Sequence, residues 1–225
     1  QLGGDFHYTL ALLGPRHWSQ VEGRHALPWS SEGDRLVVVP VRSDMSLLRQ
    51  SGRDSAQAQP VVDIISYHQL GHVVLAAYLH PAGFRGQTPV LWFDELLASY
   101  LGHWYMRENR PDLADYEEQL AWDVTRRTEP RFSSLAQYDE YHQGYLTSPL
   151  GANTLGWYQN AFNLWAAELY DDYGAGFFRR VRRELPWVRV ETWTTESLLE
   201  ELEAIAPGFG NWAREMAEAS APAYR

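Results

Sequence analysis

The spacing of apolar and polar residues divides the chain into two parts. Short apolar, β-favouring runs at residues 6–13 and 36–41 are bounded by Gly, Pro, Ser and Asp, a pattern that predicts strands of a small sheet. From Pro60 onward the apolar residues recur at three- and four-residue steps, which is the spacing of amphipathic helices. We therefore expect an α+β fold, with a small N-terminal β-sheet in residues 1–55 and a mainly helical C-terminal part in residues 56–225.

Two predicted helices carry the residues of greatest chemical interest. Pro60 is expected to open the first, 61–79, because proline is favoured in the first turn, and Pro81 is expected to end it. A second helix is predicted over 92–108, and the polar stretch 138–144 is expected to be a helix end or a loop. Further helices are predicted over 113–124, 154–173, 177–184, 195–204 and 211–219.

Composition narrows the class of partner. With 225 residues, 45% of them hydrophobic, the chain is long enough for one substantial core, so we expect a single domain over residues 1–225. The formal net charge of −10 opposes binding to a phosphate backbone, which argues against nucleic acid and favours a peptide or protein partner. The chain has no cysteine, so any bound metal must be held by nitrogen and oxygen ligands.

No part of the sequence is expected to cross a membrane. No stretch approaches the roughly 18 to 20 uninterrupted apolar residues that a transmembrane helix needs, and the N-terminus lacks a charged-then-apolar signal pattern. We therefore expect a soluble chain. Its compartment and its oligomeric state stay open, with a secreted or periplasmic location slightly favoured over a cytoplasmic one.

Two histidines one helical turn apart are the strongest candidates for chemistry. His68 and His72 project from nearly the same face of the predicted first helix, about 40° apart, so both imidazoles can bind one metal ion. Glu95, on the next predicted helix, can supply a third ligand if that helix folds back against the first. Three protein ligands with one open position are typical of a catalytic zinc site, so we predict Zn2+ as the cofactor.

A pair of histidines at this spacing also arises by chance in many helices. The joint pattern is harder to assemble by accident, because Gly71 precedes the second histidine and a Trp-x-x-Glu-x-x-Ala-x-Tyr segment follows at 92–100. Two other histidines fit less well, since His80 falls at a helix end and His103 lies about two turns beyond the expected third ligand. Surface or core roles are expected for both.

The sequence HQLGH at 68–72, followed by WFDELLASY at 92–100, resembles the gluzincin metallopeptidases, whose pattern is His-Glu-x-x-His and then a helix bearing Asn-Glu or a close variant. The resemblance is closest to the aminopeptidase N branch and extends over about residues 60–215, strongly at the zinc motifs and loosely afterwards. It implies a zincin-like fold, His68, His72 and Glu95 as zinc ligands, and hydrolysis of peptide bonds by zinc-activated water. No Gly-x-Met-Glu-Asn segment is present, so aminopeptidase specificity has no support.

Gln69 departs from the gluzincin pattern at the position of the general base. The resemblance implies a glutamate there, which takes a proton as water attacks the scissile carbonyl and returns it to the leaving amine. A carboxamide cannot do this, although it has nearly the same size. We therefore expect the fold and metal binding to survive while turnover falls by roughly 10²- to 10⁴-fold or more. An engineered inactivation and a naturally silent protein both fit, and the first is preferred because the other site residues are present.

Two further residues receive roles. The resemblance implies that Tyr158, within GWYQNAF at 156–162, donates a hydrogen bond to the developing oxyanion, while a tyrosine packed in the core is the competing interpretation. Asp94 could act as a substitute base. Its position next to Glu95 favours a second-shell role instead, in which it orients one of the histidines.

Aromatic and basic residues are numerous but are expected to be structural. Trp104, Trp122 and Trp165 sit at helical apolar spacing, so we expect them in the core rather than along a cleft for an aromatic or glycosylated substrate. The basic run at 179–183 is expected to be a solvated helix face.

The sequence thus predicts a zinc metallopeptidase domain that is inactive, or nearly so, with a peptide or protein as its substrate. A non-catalytic, zinc-containing domain that binds peptides or proteins is the main alternative. A zinc hydrolase that acts on a non-peptide bond is a third, weaker possibility.

Overall fold

The structure is a computed structural model, and it describes residues 7–14, 17–18, 20, 28–31, 34–40, 55–79, 88–146 and 152–220. Over these residues the chain is mostly helical, with a small three-stranded sheet near the N-terminus, as expected for an α+β protein. Several predicted features lie outside the described residues, among them His80, the helix end at Pro81 and the outer ends of the two predicted strands.

The sheet consists of β1 (Thr9–Leu13), β2 (Trp29–Ser31) and β3 (Leu36–Pro40), in the order β1-β3-β2. The central strand β3 pairs in parallel with β1 and antiparallel with β2, where Trp29 lies opposite Val38. Both β1 and β3 fall within the predicted runs. The strand β2 was not predicted, because its three residues are too few to display an alternation of apolar and polar positions.

All the predicted helices are present. They are α1 (Ser55–Tyr78), α2 (Leu91–Asn109), α3 (Pro111–Arg127), α4 (Leu135–Leu146), α5 (Ala152–Tyr173), α6 (Gly176–Glu184), α7 (Thr195–Ile205) and α8 (Phe209–Ser220), with a 3-10 helix at Trp187–Thr192 between α6 and α7. Local signals explain several of the boundaries. Pro111 begins α3, where no backbone N–H is needed, and Thr194 with Ser197 forms a capping box at the start of α7.

The expected start of α1 at Pro60 is wrong, because the helix begins at Ser55 and contains the proline. Proline removes one backbone hydrogen bond near the N-terminus of the helix, which is a limited loss there. The turn before it is held by packing, since Ala58 and Val62 are both buried in the apolar cluster that includes Val38 of the sheet. Burial of that turn therefore outweighs the local preference of proline.

The stretch 138–144 is also not a loop, because it lies within α4. The side chain of Tyr138 is buried, and its ring packs against Tyr158 at 4.9 Å and Phe162 at 5.2 Å between ring centroids. Together with Leu135, which is also in the core, this buried side chain packs the helix against the rest of the core.

Trp122 is likewise not a core residue. Its side chain is 53% exposed, with the guanidinium carbon of Arg126 4.1 Å from the ring centre, whereas Trp165 is fully buried. The face of α3 that packs inward instead presents smaller residues such as Ala114 and Ala121. Apolar spacing alone did not distinguish these two faces of the helix.

Helix α1 lies between the sheet and the other helices. Val62 and Val73 pack with β3 on one side, while Leu75 and Leu79 belong to the larger core formed with α2 and α5. Helix α2 is buried along most of its length, as expected for a helix that is apolar nearly all round. Among the helices described, none combines the length and the apolar character needed to cross a lipid bilayer.

Candidate metal centre

The side chains of His68, His72 and Glu95 meet between α1 and α2. The Nε2 atoms of the two histidines are 3.0 Å apart, and Oε2 of Glu95 lies 3.1 Å from Nε2 of His68 and 3.5 Å from Nε2 of His72. Both histidines are buried, and the glutamate side chain is 13% exposed. Within the described part of the chain, no other three His, Asp or Glu residues bring their ligand atoms close enough together to share an ion.

The size of this triangle fits a small divalent cation. At zinc–ligand distances of about 2.0 to 2.2 Å, tetrahedral coordination separates neighbouring ligand atoms by about 3.3 to 3.6 Å. The observed separations of 3.0, 3.1 and 3.5 Å are close to these values. Two imidazole nitrogens and one carboxylate oxygen are also donors that zinc and several other first-row metals accept. The three residues could therefore hold a metal ion.

The charge states of His68 and Glu95 are compatible with metal binding. Burial lowers the pKa of His68, which favours the neutral imidazole at neutral pH. Burial opposes ionisation of Glu95, but the adjacent His72 and His68 more than offset it and hold the pKa of this carboxyl well below its usual value. A neutral imidazole and an ionised carboxylate are both able to bind a cation.

Three residues that the sequence did not predict form a hydrogen-bonding group next to Nδ1 of His68, the ring nitrogen that faces away from His72 and Glu95. Its Nδ1 lies 3.1 Å from Oγ of Ser99, and this hydroxyl in turn donates to Oδ1 of Asn163 at 2.8 Å. Nε2 of Gln159 lies 3.4 Å from both Nδ1 of His68 and Oγ of Ser99. One signal was visible in the sequence, since Ser99 follows Glu95 by one helical turn and so faces the same way.

Two glycines allow α1 and α2 to cross closely at the site. A Cβ atom on Gly71 would lie 2.3 Å from the carbonyl oxygen of Ala98, and one on Gly102 would lie 3.2 Å from the backbone nitrogen of His68. The first distance is impossible for a real side chain. The helix that carries the histidines can therefore approach the helix that carries the glutamate only because position 71 has no side chain.

Gln69 connects α1, the helix that carries His68 and His72, to the sheet. The hydroxyl of Ser30 in β2 donates to Oε1 of Gln69 at 2.8 Å, and the pair is partly buried. The residue at the expected general-base position thus has a carbonyl oxygen engaged by the neighbouring strand. This hydrogen bond adds a polar contact to the apolar packing of Val62 and Val73 against the sheet.

Tyr158 is fully buried on α5, and its hydroxyl donates to the carbonyl oxygen of Ser134 at 2.8 Å. These contacts describe a core tyrosine, so the oxyanion role remains a prediction that would need this hydroxyl to change partner. Tyr138, packed against the same ring, is a residue that the sequence did not single out. Burial raises the pKa of its hydroxyl well above the usual value, and the nearby negative charge of Glu95 adds to that increase.

Asp94 is buried and directly precedes Glu95 on α2. Its Oδ2 accepts a hydrogen bond from the backbone N–H of Thr88 at 2.7 Å, which fixes the chain just before α2 begins. The second-shell role predicted for Asp94 stays a prediction. The observed contact gives it a structural task, because it holds the start of the helix that carries Glu95.

His103 lies on α2 two turns beyond Glu95 and is fully buried. Its Nδ1 is 2.8 Å from Oε2 of Glu117, another buried side chain. Burial raises the pKa of the Glu117 carboxyl, and the adjacent imidazole partly offsets that effect. His103 therefore belongs to a buried polar pair with α3, which is the second of the two roles, surface or core, expected for it.

A groove of about 650 Å3 runs along α1 and α2 and extends to α6, but it is not lined by His68, His72 or Glu95. Its walls are mostly apolar, and polar groups are contributed by Glu108, Asn109 and Arg179. On α1 its residues include Tyr67 and Gly71, which lie on a different side of the helix from the two histidines. The size of this groove therefore says nothing about the chemistry of the metal centre.

Comparisons of the chain with protein-family models, with curated proteins and with solved structures found no match in any of the three.

Proposed function

We propose that this protein is a zinc-binding domain of the metallopeptidase type, in which Gln69 at the general-base position leaves little or no hydrolysis of peptide bonds. The observation that carries the proposal is the convergence of two imidazole Nε2 atoms and one carboxylate oxygen within 3.5 Å of one another. The ligands come from two consecutive helices, in the His-x-x-x-His and downstream Glu arrangement that resembles gluzincins. A structural zinc site would normally use four protein ligands, whereas three leave a position for substrate or water.

The chain's own residues divide the chemistry into binding and proton transfer. A bound zinc ion would supply Lewis acidity and lower the pKa of a coordinated water. His68, His72 and Glu95 would hold and orient the ion. Gln69 can donate and accept hydrogen bonds but cannot accept a proton at neutral pH, so the transfer to the leaving amine has no carboxylate to perform it at this position.

A non-catalytic peptide-binding domain is the second candidate, and the contact of Gln69 favours it. Its Oε1 accepts the hydroxyl proton of Ser30 in β2 at 2.8 Å. A carboxamide can make this bond and still present its N–H groups, for example to a carbonyl oxygen of a bound peptide. Under this alternative the glutamine serves binding, and the metal orients the ligand without hydrolysing it.

Replacement of Gln69 by glutamate separates the two candidates. Zinc content would be measured in the wild-type and Gln69→Glu proteins, together with cleavage of a mixed peptide pool. Gln119→Glu makes the same chemical change on the exposed face of α3 and serves as the matched control. His68→Ala should lose zinc and defines the background of the cleavage assay.

The peptidase proposal expects zinc in both proteins and a gain in cleavage of roughly 10²-fold or more in Gln69→Glu alone, the range typical of general acid–base catalysis. Zinc in both proteins with no cleavage by either would favour the peptide-binding domain. Absence of zinc from both would overturn the metal centre itself.

A further inference from the structure

The hydroxyl proton of Ser99 is already engaged in a hydrogen bond. It donates to Oδ1 of Asn163 at 2.8 Å, and a carbonyl oxygen can only accept. Towards Nδ1 of His68, 3.1 Å away, the same oxygen can therefore only accept as well. The carboxylate of Glu95 beside Nε2 also only accepts, so it would compete for the ring proton in the absence of a metal. With a cation bound between Nε2 and Glu95, the polarity of the Ser99 hydroxyl requires the proton of a neutral His68 ring to sit on Nδ1. The lone pair of the ring is then on Nε2, the atom that faces His72 and Glu95.

Gln159 offers a competing arrangement. Its amide nitrogen is 3.4 Å from Nδ1 of His68, and an N–H donated there would favour the opposite tautomer, with the proton on Nε2. The same amide nitrogen is also 3.4 Å from Oγ of Ser99, where it can donate without conflict. The contact between Nδ1 of His68 and Oγ of Ser99, at 3.1 Å, is shorter than the contact of Nδ1 with Gln159, and it favours the tautomer with the proton on Nδ1.

We propose that Ser99, with its hydroxyl oriented by Asn163, is a positioning residue that keeps Nε2 of His68 free of its proton and directed at the metal. The inference rests on the metal centre of the proposed function. Ser99 and Asn163 are 2% and 8% exposed, so water does not readily replace either hydrogen bond. Hydrogen bonds of this kind, from a metal-binding histidine to a second residue, fix the orientation of the ring and strengthen binding.

Two substitutions test the arrangement from opposite ends. Ser99→Ala removes the acceptor for the Nδ1 proton. Asn163→Leu keeps the hydroxyl, but frees its proton to be donated to Nδ1, so that the proton of the ring moves to Nε2. Each is expected to weaken zinc binding by roughly 10- to 100-fold, as loss of such outer contacts typically does. Ser99→Thr retains the hydroxyl and should restore an affinity near that of the wild type.

Ser66→Ala is the matched control for loss of a helical hydroxyl. Its Oγ donates to the carbonyl oxygen of Val62 within α1, so zinc affinity should not change. Affinity would be measured by competition with a chromophoric chelator, and helical content by circular dichroism would identify a variant that fails to fold. If one of the two main variants does not fold, the other still decides the result.

A second measurement follows the ring itself in the zinc-loaded protein. Nitrogen chemical shifts of the imidazole and the exchange rate of its Nδ1 proton report how firmly that proton is held. The wild-type and Ser99→Thr proteins should show a slowly exchanging proton on Nδ1 of His68, and the two disruptive variants should lose this protection. Unchanged shifts together with zinc affinity within about 3-fold of the wild type would overturn the inference. Failure of the wild type to bind zinc would instead overturn the proposed function, and this inference with it.

Discussion

Replacement of Gly71 by alanine tests whether the close crossing of α1 and α2 builds the metal centre. The new Cβ would lie 2.3 Å from the carbonyl oxygen of Ala98 and 2.9 Å from its carbonyl carbon and Cα. These are backbone atoms of a buried helix, so no side chain can rotate out of the way. Ordinary contact begins at 3.4 Å, which means that the helices would have to separate locally by about 1 Å in a closely packed interior.

The magnitude follows from two opposing terms. Overpacking of a well-packed core typically costs about 1 to 3 kcal/mol of stability. We take the upper end of this range for Gly71→Ala, because the new Cβ would meet backbone atoms rather than a side chain. Alanine is favoured over glycine within a helix by about 1 kcal/mol. We therefore expect the zinc-free variant to lose about 2 kcal/mol of unfolding free energy, or roughly 4 to 8 °C in melting temperature for a chain of this size.

Zinc binding should suffer more than stability does. A separation of about 1 Å exceeds the roughly 0.2 Å by which metal–ligand distances usually vary, so the ion would lose one of its ligands. We expect the dissociation constant to rise by at least about 10-fold, which corresponds to 1.4 kcal/mol. Urea denaturation of the zinc-free protein and a chelator competition with zinc measure the two effects separately.

Two other glycines supply a graded control. A Cβ on Gly102 would meet backbone at 3.2 Å, which calls for a shift of a few tenths of an ångström, and one on Gly156 in α5 would meet nothing within 4 Å. Gly102→Ala should therefore be nearly neutral, and Gly156→Ala should stabilise by about 0.5 to 1 kcal/mol. The reasoning fails if Gly71→Ala unfolds and binds zinc as the wild type does, or if all three variants lose equal stability.

Two further predictions concern α4 and its neighbours. Tyr158→Phe should lower the unfolding free energy by about 1 to 2 kcal/mol because the carbonyl of Ser134 loses its hydrogen bond, and chemical denaturation would measure this loss. If Tyr158→Phe instead lowers the kcat of the Gln69→Glu protein without changing its stability, the oxyanion role is favoured. The carboxylate of Asp139 accepts hydrogen bonds from the backbone of Trp92 and the hydroxyl of Thr195, and burial raises its pKa to about 6. The folded protein then holds the carboxyl proton of Asp139 more tightly than the unfolded chain does, where the pKa of Asp is about 3.9. The protonated group therefore contributes to the free energy of unfolding below about pH 4, and this contribution is lost as pH rises through about 6. Asp139→Asn should flatten that part of the pH–stability profile, and a slope equal to that of the wild type would contradict this assignment.

The sequence predicted those elements whose signal is repeated along the chain. The apolar spacing of α2 and α5 continues over several turns, so both helices were located to within two residues at each end. The convergence of His68, His72 and Glu95 was also predictable, because the first pair is fixed by the helical repeat and only one further helix had to pack alongside.

The sequence could not predict features that depend on partners distant along the chain. Asn163 follows Ser99 by 64 residues, and nothing in either local pattern relates the two. The strand β2 depends in the same way on pairing with β3, and the helix at 138–144 depends on burial of Tyr138 against α5. In each case a tertiary contact decides the structure, and local preference does not oppose it strongly enough.

The link between Gln69 and Ser30 has an evolutionary consequence. The side chain at position 69 reaches the sheet, while the atoms that would hold the metal belong to His68 and His72 on the same helix and to Glu95 on α2. Glutamine and glutamate have nearly the same shape, and either can accept the serine hydroxyl. Their codons differ by one base. A lineage could therefore cross between a binder and a hydrolase in one mutational step, in either direction, without an unstable intermediate for selection to remove.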